Sequence, residues 1–185
     1  AVDATKAGDT VLVTNGVYAV GGKTNEWGGV ESRVTITNSI RLESVNGPLV
    51  TTVVGSTVLT NELGEEVGWD GGRCVYLGFN AVLSGFTLTN GWAYWTGGGV
   101  SSEPSGVVTN CTLTGNTAIN GGGEWGPGGD GGGACGGNLY NCTLTGNFSD
   151  SGGGAHGSTL YNCTLIGNSA VGPGWMYGYY GGGGG

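Results

Sequence analysis

Few residues in this 185-residue chain have the chemistry to act as a catalyst or a ligand. They are five cysteines (Cys74, Cys111, Cys135, Cys142 and Cys163), one histidine (His156), five scattered aspartates, eight glutamates and five basic residues. No two cysteines form a C-x-x-C pair, the spacing a structural zinc site uses, so zinc is not indicated. His156 sits beside a glycine run and lacks the partner spacing of a nucleophile–histidine–acid triad. The segment "NELGEEVGWD" gathers Glu62, Glu65, Glu66 and Asp70, carboxylates that a hard cation such as calcium prefers. It lacks the alternating acidic spacing of a preformed calcium loop, and a solvated acidic loop is the competing reading. Aromatic side chains form the other candidate surface: Trp92, Tyr94 and Trp95 in one loop, Trp125 in the next and Trp175 in the last. Such rings stack on sugars or on protein, and they also pack over their own scaffold.

The charge pattern removes whole classes of partner. The net charge is −8, and no Lys or Arg follows Arg73. Nucleic acid needs a cluster of cations to displace phosphate counterions, and an anionic membrane surface needs a basic patch. Neither is available, and no apolar run is long enough to span a membrane. Glycine, at 45 residues, is far above its usual share. The glycines follow no G-X-Y period, which excludes collagen. With 17 aromatic residues the chain is also unlike a solvated tail.

What must position these residues is a repeat. "NCTLTGN" runs from Asn110 to Asn116 and again from Asn141 to Asn147, and "NCTLIGN" runs from Asn162 to Asn168. The cysteines of the copies lie 31 and then 21 residues apart; "NGGGEWGPGGDGGG" supplies the excess as a loop insertion. A period near 21 holds short strands and turns but no helix pair, and Val, Thr, Tyr and Leu fill the segments between Gly and Asn. Strand alternation puts Cys111/Leu113, Cys142/Leu144 and Cys163/Leu165 inside. It puts Thr112, Thr114, Thr143, Thr145 and Thr164 outside, with Ile166 ending the row. Asn110, Asn141 and Asn162 fall at corners, where a left-handed backbone is tolerated and an amide can reach its counterpart one coil away. As formal N-x-T sequons they are expected to be hidden from glycosylation. Cysteines stacked in register point in parallel, a poor torsion for a disulfide, so a buried thiol stack is expected.

The expected fold is therefore all-β: a right-handed parallel β-helix of about seven coils, each of roughly 21–25 residues with loop insertions. The whole chain, 1–185, reads as a single β-helix domain. Residues 1–7 are a remnant of an N-terminal cap, 8–91 irregular coils and 92–185 the regular GGG…NCTLTGN coils.

At this point two stretches carry a family resemblance. "AVDATKAGDTVLVTNGVY" resembles the entry of right-handed parallel β-helices of the pectin-lyase-like superfamily. "GGGA…NCTLTGN" is similar to the repeats of polymorphic outer-membrane proteins and autotransporter passengers. The resemblance implies the fold over nearly the whole chain and leaves function open, because the superfamily holds lyases, hydrolases, tailspikes, adhesins and ice-binding proteins. Its lyases use a Lys or Arg base, and Lys6, Lys23, Arg33, Arg41 and Arg73 match no such motif. Its hydrolases use clustered aspartates, whereas Asp3, Asp9, Asp70, Asp130 and Asp150 are scattered in sequence. The expectation is a non-enzymatic extracellular or cell-surface solenoid without a cofactor. It would be a passenger segment of a longer chain or a self-stacking filament subunit, and its loops would meet a glycan or a host protein. The alternative is a carbohydrate-binding or polysaccharide-degrading β-helix; a remoter one is ice binding along the Thr column.

Overall fold

The computed structural model describes residues 2–22, 32–56, 72–119 and 129–172. A 3-10 turn, Val2–Ala4, precedes the strands. The first coil holds β1 (Thr10–Val13) and β2 (Gly16–Tyr18). The second holds β3 (Ser32–Ile36), β4 (Arg41–Ser44) and β5 (Thr51–Val54). The third holds β6 (Arg73–Leu77), β7 (Val82–Ser84), β8 (Thr87–Thr89) and β9 (Trp92–Ala93). The fourth holds β10 (Val100–Ser102), β11 (Val107–Thr109), β12 (Thr112–Thr114) and β13 (Thr117–Ala118). The fifth holds β14 (Ala134–Cys135), β15 (Asn138–Tyr140), β16 (Thr143–Thr145) and β17 (Phe148–Ser149). The sixth holds β18 (Ala155–His156), β19 (Thr159–Tyr161), β20 (Thr164–Ile166) and β21 (Ser169–Ala170).

These strands stack into four parallel sheets, the walls of a parallel β-helix. Wall A is β1-β4-β7-β11-β15-β19 and wall B is β2-β5-β8-β12-β16-β20. Wall C is β3-β6-β10-β14-β18, and wall D is β9-β13-β17-β21. Among the described residues the longest walls carry six strands. The register is strict, so each inward position repeats one coil later. Leu42, Leu83, Val108 and Leu139 line wall A; Val53, Leu88, Leu113 and Leu144 line wall B; Val75, Val100 and Ala134 line wall C. All are buried, and each fully buried Leu or Val contributes about 1.5–3 kcal/mol.

The heptapeptide spans the corner between walls A and B. Asn110, Asn141 and Asn162 have φ of 53°, 53° and 52°. Contrary to expectation they are exposed, because the left-handed turn carries each side chain to the outside of the corner. There the Asn162 Nδ2 donates to Asn141 Oδ1 at 2.6 Å. Cys111 and Cys142 are buried and Cys163 half-buried, next to the buried Leu113 and Leu144 and the half-buried Leu165. All five cysteines are free thiols.

The second Asn of each copy turns inward. Gly115, Gly146 and Gly167, with φ of 62°, 60° and 62°, set that turn. Asn116 Nδ2 donates to Asn147 Oδ1 at 3.0 Å, and Asn147 Nδ2 to Asn168 Oδ1 at 2.9 Å. The same amide nitrogens reach the carbonyls of Leu88, Leu113 and Leu144 at 3.0, 2.9 and 2.9 Å. Each Oδ1 also accepts a backbone N–H, from Gly91, Asn116 and Asn147 respectively. The buried amides are thereby satisfied. At the corner of walls D and C the backbones touch. A Cβ on Gly98, Gly132 or Gly153 would run into the carbonyl oxygen of Thr117, Phe148 or Ser169, and this is why the glycine triplets recur there.

Candidate functional site

Wall C carries an outer column of mixed chemistry. Its inward positions are Val34, Val75, Val100, Ala134 and Ala155; the residues that follow them, Thr35, Tyr76, Ser101, Cys135 and His156, form one outward column in register. Strands in register lie about 4.8 Å apart, so neighbouring side chains of this column face one another. The column is bordered by Thr96, Asp130 and Ser151, themselves linked by parallel bridges.

Asp130 Oδ2 approaches His156 Nδ1 to 3.7 Å, a contact that becomes an ion pair when the imidazole is protonated. Burial pushes the Asp130 carboxyl above its ordinary range, His156 pulls it back, and Asp150 adds to the rise. Asp150 is fixed from the other side, its Oδ2 accepting the Gly129 N–H at 2.7 Å. Cys135 is half-buried beside this pair. Burial and the Asp130 charge raise its thiol, and Arg73 opposes them. Arg73 is only 7% exposed, and its Nε has no hydrogen-bond partner. Burial lowers this guanidinium to about 10, against the pull of Cys135 and Tyr76. Tyr76 donates its hydroxyl to Glu103 Oε1 at 2.8 Å, and Thr96 and Ser101 bring their hydroxyls to 3.4 Å.

The aromatic loop adjoins this border. Asp130 N donates to the Trp95 carbonyl at 2.7 Å. Trp95, 42% exposed, meets Tyr94 edge-on with ring centroids 5.0 Å apart, and Tyr94 lies 6.4 Å from Trp92. Trp125 and Trp175 lie outside the described residues, as do Glu62, Glu65, Glu66 and Asp70 of the acidic loop. Among the described residues no group of three His, Cys, Asp or Glu is placed to hold a metal ion. The Thr residues form two columns on wall B, Thr87-Thr112-Thr143-Thr164 and Thr89-Thr114-Thr145-Ile166.

The Asp130–His156–Cys135 group is not among the sites expected from the sequence, in which the aspartates stand scattered. The coil brings Asp130 and Asp150 within electrostatic reach of each other. The signal lay in the repeat itself. Aligning the two "GGGA" runs at 21 residues sets Cys135 against His156 and Asp130 against Ser151, the register the strands adopt.

No protein-family model and no curated protein matches the sequence. Solved structures do match. A pectin methylesterase in complex with hexasaccharide VII and the pectin methylesterase PemA from Erwinia chrysanthemi each align at TM-score 0.52 and 15% identity. Each alignment covers 88% of this chain and 47% of the other. A pectin methylesterase mutant in complex with hexasaccharide IV aligns at TM-score 0.50 and 15% identity, over 98% of this chain and 53% of its own. The chain thus spans about half the length of the structures it matches. At this identity the likeness establishes the fold, a parallel β-helix with all walls parallel. It also corrects the expectation of a non-enzymatic structural or adhesive solenoid. The coil stack from which that role was read is one on which solved carbohydrate-active enzymes are built, so its regularity is no argument against catalysis. Among the described residues no helix is long and apolar enough to cross a membrane.

Proposed function

We propose that this chain is a carbohydrate-active β-helix that holds a polysaccharide along the outer face of wall C. One observation carries the reading: the Asp130–His156 contact beside the exposed Trp95, whose carbonyl is tied to the Asp130 amide. An aromatic platform next to a carboxylate–imidazole pair can stack a sugar ring and move a proton at the adjoining bond. The imidazole is the acid–base group of such a site, and the Asp130 carboxylate at its Nδ1 is the partner that orients it. The pectin methylesterase neighbours support this reading and make methyl-esterified pectin the first polymer to try, with alginate second. Polymers of that size are met outside the cell, which suits an extracellular setting.

The test combines calorimetric binding with turnover on pectin and alginate. Trp95→Ala should weaken binding about tenfold, near 1.4 kcal/mol. Asp130→Asn should leave binding within about threefold and cut turnover by about a hundredfold or more. Wild-type protein that binds neither polymer would overturn the proposal.

A further inference from the structure

Of the five thiols, four are committed to backbone carbonyls. Cys74 donates to Thr89 O at 3.3 Å, Cys111 to Thr109 O at 3.2 Å, Cys142 to Tyr140 O at 3.3 Å and Cys163 to Tyr161 O at 3.4 Å. The Cys135 thiol makes no hydrogen bond among the described residues. It alone faces outward, in register with His156 on one side and Ser101 on the other. Asp130 approaches the Nδ1 side of His156, which leaves Nε2 free to take a proton. The Arg73 guanidinium, nine-tenths buried and with its Nε unpartnered, lies within electrostatic reach of the same thiol. A buried donor without a partner is costly, about 1–3 kcal/mol, and a ligand that accepts from it would recover that cost.

Resting on the carbohydrate reading for its substrate, we propose that Cys135 is the nucleophile of an ester-hydrolysing centre. His156 is its base and Asp130 orients His156; Arg73 is a positioning residue whose charge offsets part of the burial and of the Asp130 charge that favour the protonated thiol. The Cys135 Sγ attacks the ester carbonyl carbon and its proton passes to His156. The carbon–oxygen bond breaks, and the departing alcohol takes that proton. Water, deprotonated by His156, then attacks the thioester; the carbon–sulfur bond breaks and the thiol is restored. Ester and water become acid and alcohol, and nothing is oxidised or reduced. Ester chemistry on a polysaccharide comes as a uronate methyl ester or as an O-acetyl group. The alcohol or acid released, methanol or acetate, tells them apart.

The experiment uses the full chain with p-nitrophenyl acetate, methyl-esterified pectin and an O-acetylated pectin. A burst of nitrophenol with a hydroxylamine-labile acyl group on the Cys135 peptide is expected. Cys135→Ala and His156→Ala should each lose at least about a hundredfold in turnover, and Cys163→Ala should retain it. Arg73→Met should slow alkylation of Cys135 by iodoacetamide, and Arg73→Lys should restore part of the rate. An adduct on Cys135 without release from either polymer supports the thiol centre and overturns the polysaccharide reading. Release from a polymer at the wild-type rate by Cys135→Ala keeps the polysaccharide reading and overturns the thiol. An unmodified Cys135 in a protein that turns over its substrate overturns it too.

Discussion

The outer faces of walls B and C are built on the same ladder and carry opposite sequence patterns. On wall B one outward column reads Thr52, Thr87, Thr112, Thr143 and Thr164. On wall C it reads Thr35, Tyr76, Ser101, Cys135 and His156. An outward position in a parallel wall asks only for a residue compatible with a pleated, half-exposed strand, and Thr meets that need repeatedly. Wall C departs from it with a thiol, an imidazole and a phenol while its inward partners stay Val and Ala. Wall A varies as well, from Arg41 through Val82 and Val107 to Asn138 and Thr159, so variety alone assigns no role; the proposed function makes wall C the working face and wall B scaffold.

The scaffold is most vulnerable to a charge placed in its core. Leu144 is fully buried between Leu113 and Leu165 of the adjacent coils. Leu144→Asp should cost about 4 kcal/mol or more, because a carboxylate there finds no partner in an apolar stack. Urea denaturation followed by circular dichroism would show a collapsed midpoint or no folded protein. Asn147→Ala should come next, at about 2–3 kcal/mol. It leaves the Leu113 carbonyl and the Asn116 amide without their partners inside the helix, and the ladder is cut between Asn116 and Asn168. A loss under about 0.5 kcal/mol would mean that water enters and replaces the amide.

The inner half of this scaffold was legible in the sequence, and the outer site was not. Cys and Leu inward with Thr outward follows from alternation within "CTLT" alone. The two Asn of each heptapeptide could not be separated that way. Asn110 itself takes the left-handed turn and is thrown outward, whereas Asn116 follows a left-handed Gly115 and is turned in. The wall C site was hidden for a different reason. The period sets Asp130 opposite Ser151, a serine, and the Asp130–His156 approach runs diagonally between two coils, which spacing alone does not show. A period gives the stack, but only the folded coil says which side chains from different copies become neighbours.

Thiol reactivity sharpens the contrast between inside and outside. Burial pushes Cys74 to about 12, Cys111 to about 11 and Cys142 to about 12, so at neutral pH they are protonated and shielded. Under native conditions Cys135 should react with iodoacetamide at least about a hundredfold faster than these three, as read by peptide mass spectrometry. Equal rates for all would place Cys135 in the same environment as the core column and remove the distinction between the two faces.

The smallest effect is expected on wall B's own outer face. Thr143 sits between Thr112 and Thr164, half-exposed, and its hydroxyl makes no hydrogen bond among the described residues. Val keeps the branched β-carbon that stiffens the strand and loses only a hydroxyl that water already solvates. Thr143→Val should therefore change stability by less than about 0.5 kcal/mol and leave polysaccharide turnover unaltered. If that substitution instead lowered turnover while the denaturation midpoint held, substrate would be touching wall B. The division into a scaffold face and a working face would then have to be redrawn around the Thr columns.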